Sequence, residues 1–279
     1  MPFRDRANGK SDFQCMAMPT PITVVHIPHA ATKIPADLVK TFLVSDERLQ
    51  LELLRMTDRY TEELFALPAR LATSIEFPVS RLVVDPERFV DDSLESMAQK
   101  GMGVLYTRTS DGDLLRREPF SQIERDTLLT RFYFPHHARL SEAVAKSIQD
   151  NQHCLILDGH SFGNAPYPHE PDQNPTRPQI CIGTDKFHTP VWLREAAVDA
   201  FYEAGFGVSV DRPFSGAIVP APYYQQNKAV WSIMVEVNRS LYMHEDTGEK
   251  RRDFASVNQR VRSAIEKIVY QAEAVTAES

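Results

Sequence analysis

The sequence predicts an α/β fold with three layers, in which a mixed β-sheet is flanked by helices. Apolar, β-branched segments alternate with helical segments along the chain, which is typical of this fold class. Several strand segments are apolar throughout, as in strands that are covered on both faces. No repeat or linker divides the chain, so residues 21–279 are expected to form a single domain after a flexible tail at 1–20.

Start and stop signals delimit the elements of the first half of the chain. Ser45 is a candidate N-cap, and Ser121 and Glu124 have capping-box spacing. Pro135 is expected to break or kink the helix that contains it. The predicted elements are a strand at 22–27, a helix at 45–71, strands at 73–77 and 81–85, a helix at 121–134 that resumes to about 151, and a strand at 154–158.

The second half of the chain continues the alternation after a proline-rich loop at 163–178. Pro190 lies near the start of one helical segment and Gly205 just past its end, an asymmetry typical of helices. The predicted elements are a strand at 179–184, a helix at 189–205, strands at 206–211 and 231–237, and a helix at about 253–274.

Composition and charge exclude several classes of protein. The net charge of −7 argues against a general nucleic-acid binder, and no apolar run is long enough to span a membrane. The N-terminus lacks a secretory apolar region. Three cysteines without CxxC spacing argue against a disulfide scaffold and against a four-cysteine zinc site. Free cysteines are typical of a reducing compartment, so a cytoplasmic location is expected. The oligomeric state is left open, and a homo-oligomer is compatible with the sequence.

Three strand ends carry polar residues suited to catalysis. His29 follows the first strand, His160 lies in the segment DGHS, and Glu236 lies in the segment VEVNR. Ligands of open α/β sheets bind beyond the carboxyl ends of the strands. Two imidazoles and a carboxylate at neighbouring strand ends are typical of a catalytic zinc site, which has three protein ligands and an open position for water.

Asp58 is the candidate for a third metal ligand. In a continuous helix it would share an apolar stripe with Leu51, Leu54 and Phe65. A carboxylate on such a stripe is costly unless it is paired or bound to a cation. Zinc would relieve this cost, and so would a nearby arginine such as Arg55, which leaves a salt-bridged helix acid as the alternative.

Several arginines could hold a substrate carboxylate, because a guanidinium group binds a carboxylate in bidentate fashion. Arg81 and Arg88 flank the segment LVVD, and Arg239 lies three residues after Glu236. A surface ion pair is the alternative, above all for Arg116. The candidate substrate-binding residues are Arg88, Arg116, Asn238 and Arg239.

Five segments, taken in order, resemble the N-formylglutamate amidohydrolase family. They are IPHAATKIP (27–35), TDRYTEELF (57–65), SRLVVDPERF (80–89), DGHSF (158–162) and VEVNRSLYM (235–243). The resemblance implies a mixed-sheet fold similar to the zinc-dependent exopeptidases of the phosphorylase/hydrolase type. It also implies hydrolysis of N-formyl-L-glutamate to formate and glutamate, in histidine degradation.

The resemblance also implies roles for individual residues. It places His29 and His160 on zinc together with Asp58, and it makes Glu236 the acid/base. Arg81 lies in the SR motif and is the first candidate for a substrate arginine; as a catalytic residue, it or Arg88 is expected to stabilise the oxyanion. In this mechanism a water molecule activated by the metal attacks the amide carbon, although sites of this ligand type also accept other divalent ions.

The chain departs from the family at Glu87, where the family motif resembles Asp-x-Asn-Arg. A like charge at about 4 Å from a substrate carboxylate would cost roughly 4 kcal/mol at an effective dielectric of about 20. Three interpretations follow from this cost. Glu87 points away from the substrate, Arg88 neutralises it, or the substrate is not N-formylglutamate.

Three other functions remain as alternatives. One is a related zinc deacylase for a different N-acyl amino acid. A second is a non-catalytic binding protein that has lost the metal, which Thr32 and Glu87 make conceivable. A serine hydrolase using Ser161 with His160 is disfavoured, because neighbouring strand residues point to opposite faces and no GxSxG motif is present.

Overall fold

Six strands form one mixed sheet in the computed structural model, which describes residues 20–278. The strand order is β2-β1-β3-β6-β4-β5; β4 is antiparallel to β6, and all other neighbours are parallel. The predicted mixed sheet is therefore confirmed, while the predicted tail lies outside the described residues except for Thr20. The strands are β1 (Thr23–Ile27), β2 (Ala72–Glu76), β3 (Cys154–Phe162), β4 (Ile180–Thr184), β5 (Val208–Val210) and β6 (Val230–Asn238).

Helices cover both faces of the sheet, which gives the three predicted layers. Leu140 and Val144 of α4 pack on Ile156 of β3 on one face. On the other face, α5 and α6 pack on Leu155 and Val235 in the main core. The helices are α1 (Asp46–Met56), α2 (Thr61–Leu64), α3 (Gln122–Leu128), α4 (Phe134–Asn151), α5 (Val191–Glu203) and α6 (Phe254–Ala277). None of the described helices is long and apolar enough to cross a membrane.

The register of the central strands places the polar residues on one face. His160 of β3 lies directly beside Glu236 of β6, and Asp158 of β3 lies beside His26 of β1. Since side chains alternate along a strand, these residues share the face that α4 covers further back along the strands. Between them, Gly159 faces the opposite core, where a Cβ atom would lie 2.8 Å from the ring of Phe65.

β3 is longer than the predicted strand. The apolar run ends at Asp158, but the parallel pairing with β6 continues to Phe162. His160 is therefore part of the strand and is buried, rather than lying in a loop after it. The backbone bonds of the central strands fix its position.

The single helix predicted at 45–71 is wrong, because the chain leaves the helical path at Thr57. Asp58 donates its backbone N–H to the carbonyl of His29 at 2.9 Å, and Tyr60 adopts a left-handed conformation with φ of 69°. A second, four-residue helix then begins at Thr61. Asp58 is thus a loop residue tied to the end of β1, and not a member of a helical stripe.

The strand predicted at 81–85 is also wrong. Its apolar residues are buried, but they form turns in which Val83 N–H donates to the carbonyl of Ser80 at 2.9 Å. They pack in a second core cluster beside α1 and α3. Asp85 follows, and its backbone N–H donates to the carbonyl of Val104. An apolar run of this length fits a buried turn as well as a strand.

The helix around Pro135 continues through the proline instead of breaking. One π turn, Leu129–Tyr133, joins α3 to α4, and Pro135 lies in the first turn of α4. Proline lacks the N–H that an α-helix requires at this point. The wider turn is compatible with that loss. The capping box of Ser121 and Glu124 at the start of α3 is confirmed.

Candidate active site

Buried histidines and carboxylates meet at the carboxyl ends of β1 and β3. We call this group the histidine–carboxylate cluster; its members are His29, Asp58, Asp85, Glu87 and His160. All but Glu87 are less than 5% exposed. The group combines residues from β3, from the end of β1 and from two loops, so residues far apart in the sequence meet at one point. Glu236 of β6 lies next to it.

The imidazole of His29 is held by Asp85. His29 Nε2 lies 2.8 Å from Asp85 Oδ1, and a carboxylate can only accept, so this nitrogen carries the proton. Arg81 and Tyr106 both donate to the other oxygen of Asp85 at 2.7 Å. Burial opposes ionisation of Asp85, but Arg81 and His29 outweigh it and hold its pKa well below the usual range. Asp85 therefore fixes the ring and the tautomer of His29.

The imidazole of His160 lies between three carboxylates. Its Nδ1 donates to Asp58 Oδ2 at 3.1 Å. Its Nε2 lies 3.0 Å from Glu87 Oε2 and 3.2 Å from Asp158 Oδ1. Burial would lower the pKa of His160, but the charges of Glu87 and Asp158 raise it well above 6.5. This environment strongly favours a positive charge at the position of the imidazole.

Asp58 is paired with Arg239. Nη2 of Arg239 donates to Asp58 Oδ1 at 2.7 Å, while Asp58 Oδ2 faces His160 at 3.1 Å and His29 Nδ1 at 3.6 Å. Burial disfavours the charge, but both histidines and Arg239 lower the pKa of Asp58 far below its ordinary value. Asp58 is therefore an ionised carboxylate that touches both histidines.

Glu87 points into the cluster and not away from it. Its carboxylate lies 3.0 Å from His160 and 3.4 Å from His26, whereas Arg88 pairs with Asp85 and Glu95. Burial opposes ionisation, but the charge of His160 holds the pKa of Glu87 well below the usual range. Histidine thus neutralises Glu87 in place of the arginine that the sequence suggested.

Glu236 stands apart from the other carboxylates, because its charged form is disfavoured. Burial raises its pKa to about 8, with His160 opposing this shift and the negative charge of Asp58 adding to it. Its Oε2 is buried without a hydrogen-bond partner among the described residues. A carboxyl group with a pKa near neutrality can both accept and return a proton.

Buried polar atoms without hydrogen-bond partners converge at this site. Counting only the part of the chain that the structure describes, these atoms are His29 Nδ1, Glu87 Oε1, His160 Nε2 and Glu236 Oε2. Native proteins pair nearly all such atoms, so a group of them at one point fits a site that binds a polar ligand or an ion. One ligand atom each from His29, Glu87 and His160 lies within 4.8 Å of the other two. This donor set suits a divalent metal ion.

The family profile described as N-formylglutamate amidohydrolase matches residues 22–243 of the chain. The chain belongs to this family. It is accordingly a hydrolase that acts on the carbon–nitrogen bond of linear amides. The five segments that suggested the family from the sequence all lie within the matched range.

Two solved structures resemble this family member. An N-formylglutamate amidohydrolase from Ralstonia eutropha JMP134 has a TM-score of 0.81 and 23% identity, with 94% of this chain and 96% of that chain covered. The gene product Atu2144 from Agrobacterium tumefaciens has a TM-score of 0.62 and 17% identity, with coverages of 91% and 93%. At these identities the likeness supports the fold. A search of the curated proteins finds no match.

The predicted substrate arginines of this amidohydrolase differ in their surroundings. Arg88 is partly exposed, and its Nε has no hydrogen-bond partner among the described residues. Arg239 instead donates to Asp58, Ser161 and the carbonyl of Arg55. Arg88 is therefore held by long ion-pair contacts with Asp85 and Glu95, at 3.7 and 3.9 Å, whereas Arg239 is engaged by shorter hydrogen bonds within the protein.

Two predicted substrate-binding residues are not brought into the cluster. Arg116 is 2% exposed, donates to the carbonyls of Val83 and Tyr106, and lies over the rings of Phe42 and Phe120. In these contacts it stabilises the second core cluster. Asn238 is buried as well, and its hydrogen bonds go to neighbouring protein groups. Any direct contact of these two with substrate stays a prediction.

A chain of buried polar residues behind the cluster was missed by the sequence reasoning. His26 Nδ1 donates to Asp158 Oδ1 at 2.9 Å, and His26 Nε2 lies 2.8 Å from His136 Nε2 of α4. Asp85 was missed as the partner of His29. The available signal in the sequence was His26 itself, an ionisable residue among the apolar Val24, Val25 and Ile27 of β1.

Because the pKa of His26 is raised, we expect the free energy of unfolding of the protein to fall at alkaline pH. Burial would lower this pKa, but Asp158 and then Glu87 raise it to about 9, while His136 on α4 stays neutral because burial and His26 lower its pKa to about 2. Since the folded pKa of His26 exceeds the unfolded 6.5, its contribution is complete below pH 6.5 and disappears as pH rises through 9. We expect a loss of about 3 kcal/mol.

Urea unfolding of metal-free protein between pH 6 and 10 measures this loss, with His26→Gln as the control that lacks the titrating group. The difference in unfolding free energy between the two proteins should shrink as pH rises through 9. A difference that stays constant over this range would show that His26 does not titrate in this way.

Proposed function

We propose that the protein is a metal-dependent amidohydrolase that cleaves an N-formyl amino acid, with N-formyl-L-glutamate as the preferred substrate. The observation that carries the proposal is a pair of buried imidazole nitrogens, His29 Nδ1 and His160 Nε2, which have no hydrogen-bond partner within residues 20–278 and lie beside the high-pKa carboxyl of Glu236. Family membership supports the choice of substrate. A role in histidine degradation and a cytoplasmic location belong to the same proposal.

The residues of the cluster fit a bound divalent ion. His29 and His160 would hold it, and Asp58, the third ligand expected from the sequence, lies 3.1 Å from His160 and 3.6 Å from His29. Each histidine also has a carboxylate on its other ring nitrogen, an arrangement that orients metal-binding histidines and increases their basicity. Zinc is the first choice for such donors. When bound, the ion would polarise the amide carbonyl and make water more acidic.

Glu236 would carry the proton in this reaction. It takes a proton from the water that attacks the amide carbon, as the new carbon–oxygen bond forms. It then returns this proton to the amide nitrogen, so that the carbon–nitrogen bond breaks and formate and a free amine leave. The pKa of about 8 is compatible with both steps, because the ionised form that accepts the proton is a minor but populated form near neutral pH.

Arginines would hold the charges of the substrate. Arg81 remains the candidate for the oxyanion, although both its Nε and Nη2 donate to Asp85. Arg88 is better suited to a substrate carboxylate, since its contacts with Asp85 and Glu95 are longer, at 3.7 and 3.9 Å, and its side chain is 25% exposed. The small molecule would thus be bound by its carboxylate and cleaved at the neighbouring amide.

Metal removal combined with a substrate panel tests this proposal. We expect that chelator-treated protein does not cleave N-formyl-L-glutamate and that added Zn²⁺ restores turnover. The panel contains N-formyl, N-acetyl and N-succinyl amino acids, and release of the free amine is measured. Faster cleavage of an N-acetyl or N-succinyl substrate would favour the related deacylase. Protein that binds no metal and stays inert after zinc addition would favour the binding protein.

A further inference from the structure

We propose that Glu87 is the third protein ligand of the metal ion, and that Asp58 is a positioning residue that orients His160. This inference rests on the proposed function, because it specifies the ligand set of the same ion. It replaces Asp58 as the carboxylate in direct contact with the metal. The site becomes a two-histidine, one-glutamate set, a known type among catalytic zinc sites.

The first step concerns which ring nitrogens are available. His29 uses Nε2 for Asp85, at 2.8 Å, and His160 uses Nδ1 for Asp58, at 3.1 Å. The remaining nitrogens, Nδ1 of His29 and Nε2 of His160, are buried and have no hydrogen-bond partner among the described residues. The metal must therefore bind on the side of His160 that faces away from Asp58.

The second step concerns the group on that side. Glu87 Oε2 lies 3.0 Å from His160 Nε2, yet this contact lacks the geometry of a hydrogen bond. Two ligands of a tetrahedral zinc ion, each at about 2.1 Å from it, are about 3.4 Å apart. The separation between Glu87 and His160 is close to this value. Both residues also lie within ligand-sharing distance of His29.

The third step compares the carboxylates around the two histidines. Both oxygens of Asp58 are engaged, one by Arg239 at 2.7 Å and the other by His160. Asp85 accepts from His29, Arg81 and Tyr106. Glu87 differs from both, because its Oε1 is buried without a hydrogen-bond partner among the described residues. Its carboxylate, which contacts only histidine rings at 3.0 and 3.4 Å in the described ion pairs, can therefore bind an ion.

Asp158 is a further carboxylate near His160, and it is already engaged by His26, while Glu236 beside His160 has the role of acid/base in the proposed function. Its Oδ1 accepts from His26 Nδ1 at 2.9 Å, shorter than its 3.2 Å approach to His160. Asp158 and His26 thus form a buried pair behind the metal position. In this arrangement Asp158 positions His160 and His26 rather than binding the ion.

The loop that carries Glu87 is fixed by the protein. The backbone N–H of Glu87 donates to Asp85 Oδ1 at 3.0 Å, and His137 Nε2 donates to the carbonyl of Pro86 at 2.8 Å. A ligand held this way is pre-organised. The glutamate that departs from the family motif would then be neutralised by the metal and would not oppose a substrate carboxylate.

The test measures zinc affinity of the purified full-length protein and its variants, by competition with a chromophoric chelator and by metal content after dialysis. We expect one Zn²⁺ per chain in the parent protein. Glu87→Gln should weaken zinc binding by more than about 100-fold, whereas Asp58→Asn should weaken it by about 10- to 100-fold, as for other residues behind metal ligands. Glu52→Gln is the matched control, since Glu52 is a buried carboxylate bound to Ser110 outside the cluster.

Several outcomes would overturn the inference. These are zinc binding by Glu87→Gln at the parent affinity, a larger loss in Asp58→Asn than in Glu87→Gln, or two tightly bound ions per chain. The absorption spectrum of the Co²⁺-loaded proteins gives a second readout, which should change in Glu87→Gln and stay unchanged in Glu52→Gln. Circular dichroism checks that each variant is folded, and Glu87→Asp, which keeps the carboxylate, should bind zinc with intermediate affinity.

These results separate the inference from the proposed function. A parent protein that binds no zinc and cleaves no N-formyl amino acid would contradict the proposed function itself. A parent protein that binds one zinc, loses it in His160→Asn and keeps it in Glu87→Gln would contradict only the role of Glu87.

Discussion

Glu236→Gln is expected to lower kcat for the preferred N-formyl amino acid by about 10²- to 10⁴-fold, the usual contribution of a general acid–base. Glutamine has nearly the same shape as glutamate but cannot take a proton from water. Glu236 is buried beside His160, and its pKa of about 8 suits both proton acceptance and return. Steady-state kinetics on zinc-loaded protein measures the loss.

Zinc content and KM distinguish a loss of catalysis from a loss of structure in this variant. We expect the zinc content to stay at the parent value, because Glu236 is not among the proposed ligands. Glu52→Gln serves as the control, since Glu52 is another buried glutamate whose pKa burial raises, and should keep the parent kcat. Parent rates in Glu236→Gln would refute the assignment of the base.

Arg239→Met is expected to lower the free energy of unfolding by about 3–5 kcal/mol, because it leaves the Asp58 carboxylate buried without its arginine. Arg239 is 4% exposed and donates to Asp58, to Ser161 and to the carbonyl of Arg55. Methionine keeps much of the apolar stem and removes all of these donors. Urea unfolding of the chelator-treated protein measures the change.

Arg239→Lys and Arg131→Met provide the controls. Lysine keeps the positive charge beside Asp58 but cannot replace the several donors of arginine, so an intermediate loss is expected. Arg131 pairs with Asp37 on the surface, where the same change to methionine should have little effect. Equal stability of Arg239→Met and Arg131→Met would show that the buried pair is not important for folding.

Loss of the Asp58–Arg239 pair would also affect the proposed metal site. Asp58 is the carboxylate on Nδ1 of His160, so its position affects the orientation of a proposed metal ligand. The effects on stability and on zinc affinity can be separated, because unfolding is measured without metal and zinc binding is measured without denaturant. Arg239 thereby connects the stability of the fold to the geometry of the site.

Much of the fold follows from patterns that are local in the sequence. The apolar segments of β1, β3, β4 and β6 predicted buried strands, and the capping box at Ser121 predicted the start of α3. These signals are local because a strand or helix buries its own side chains with a fixed period. The five family segments predicted the family correctly.

The site was predicted in part for the same reason. His29, His160 and Glu236 lie at or near the carboxyl ends of strands, and parallel neighbouring strands bring their ends to one edge of the sheet. Asp58 was expected near the histidines, and it contacts both of them. Its proposed helical setting was nevertheless wrong, because the helix ends before it.

Contacts between distant segments settled what these patterns could not. The chain leaves α1 because Asp58 bonds to the backbone of His29, and the apolar segment before Asp85 turns because it packs against other loops. Whether Glu87 faces solvent or His160 depends in the same way on residues more than 50 positions away. Local periodicity carries information about which residues are buried. The partner of a buried charge depends instead on which groups the tertiary structure brings within about 4 Å of it.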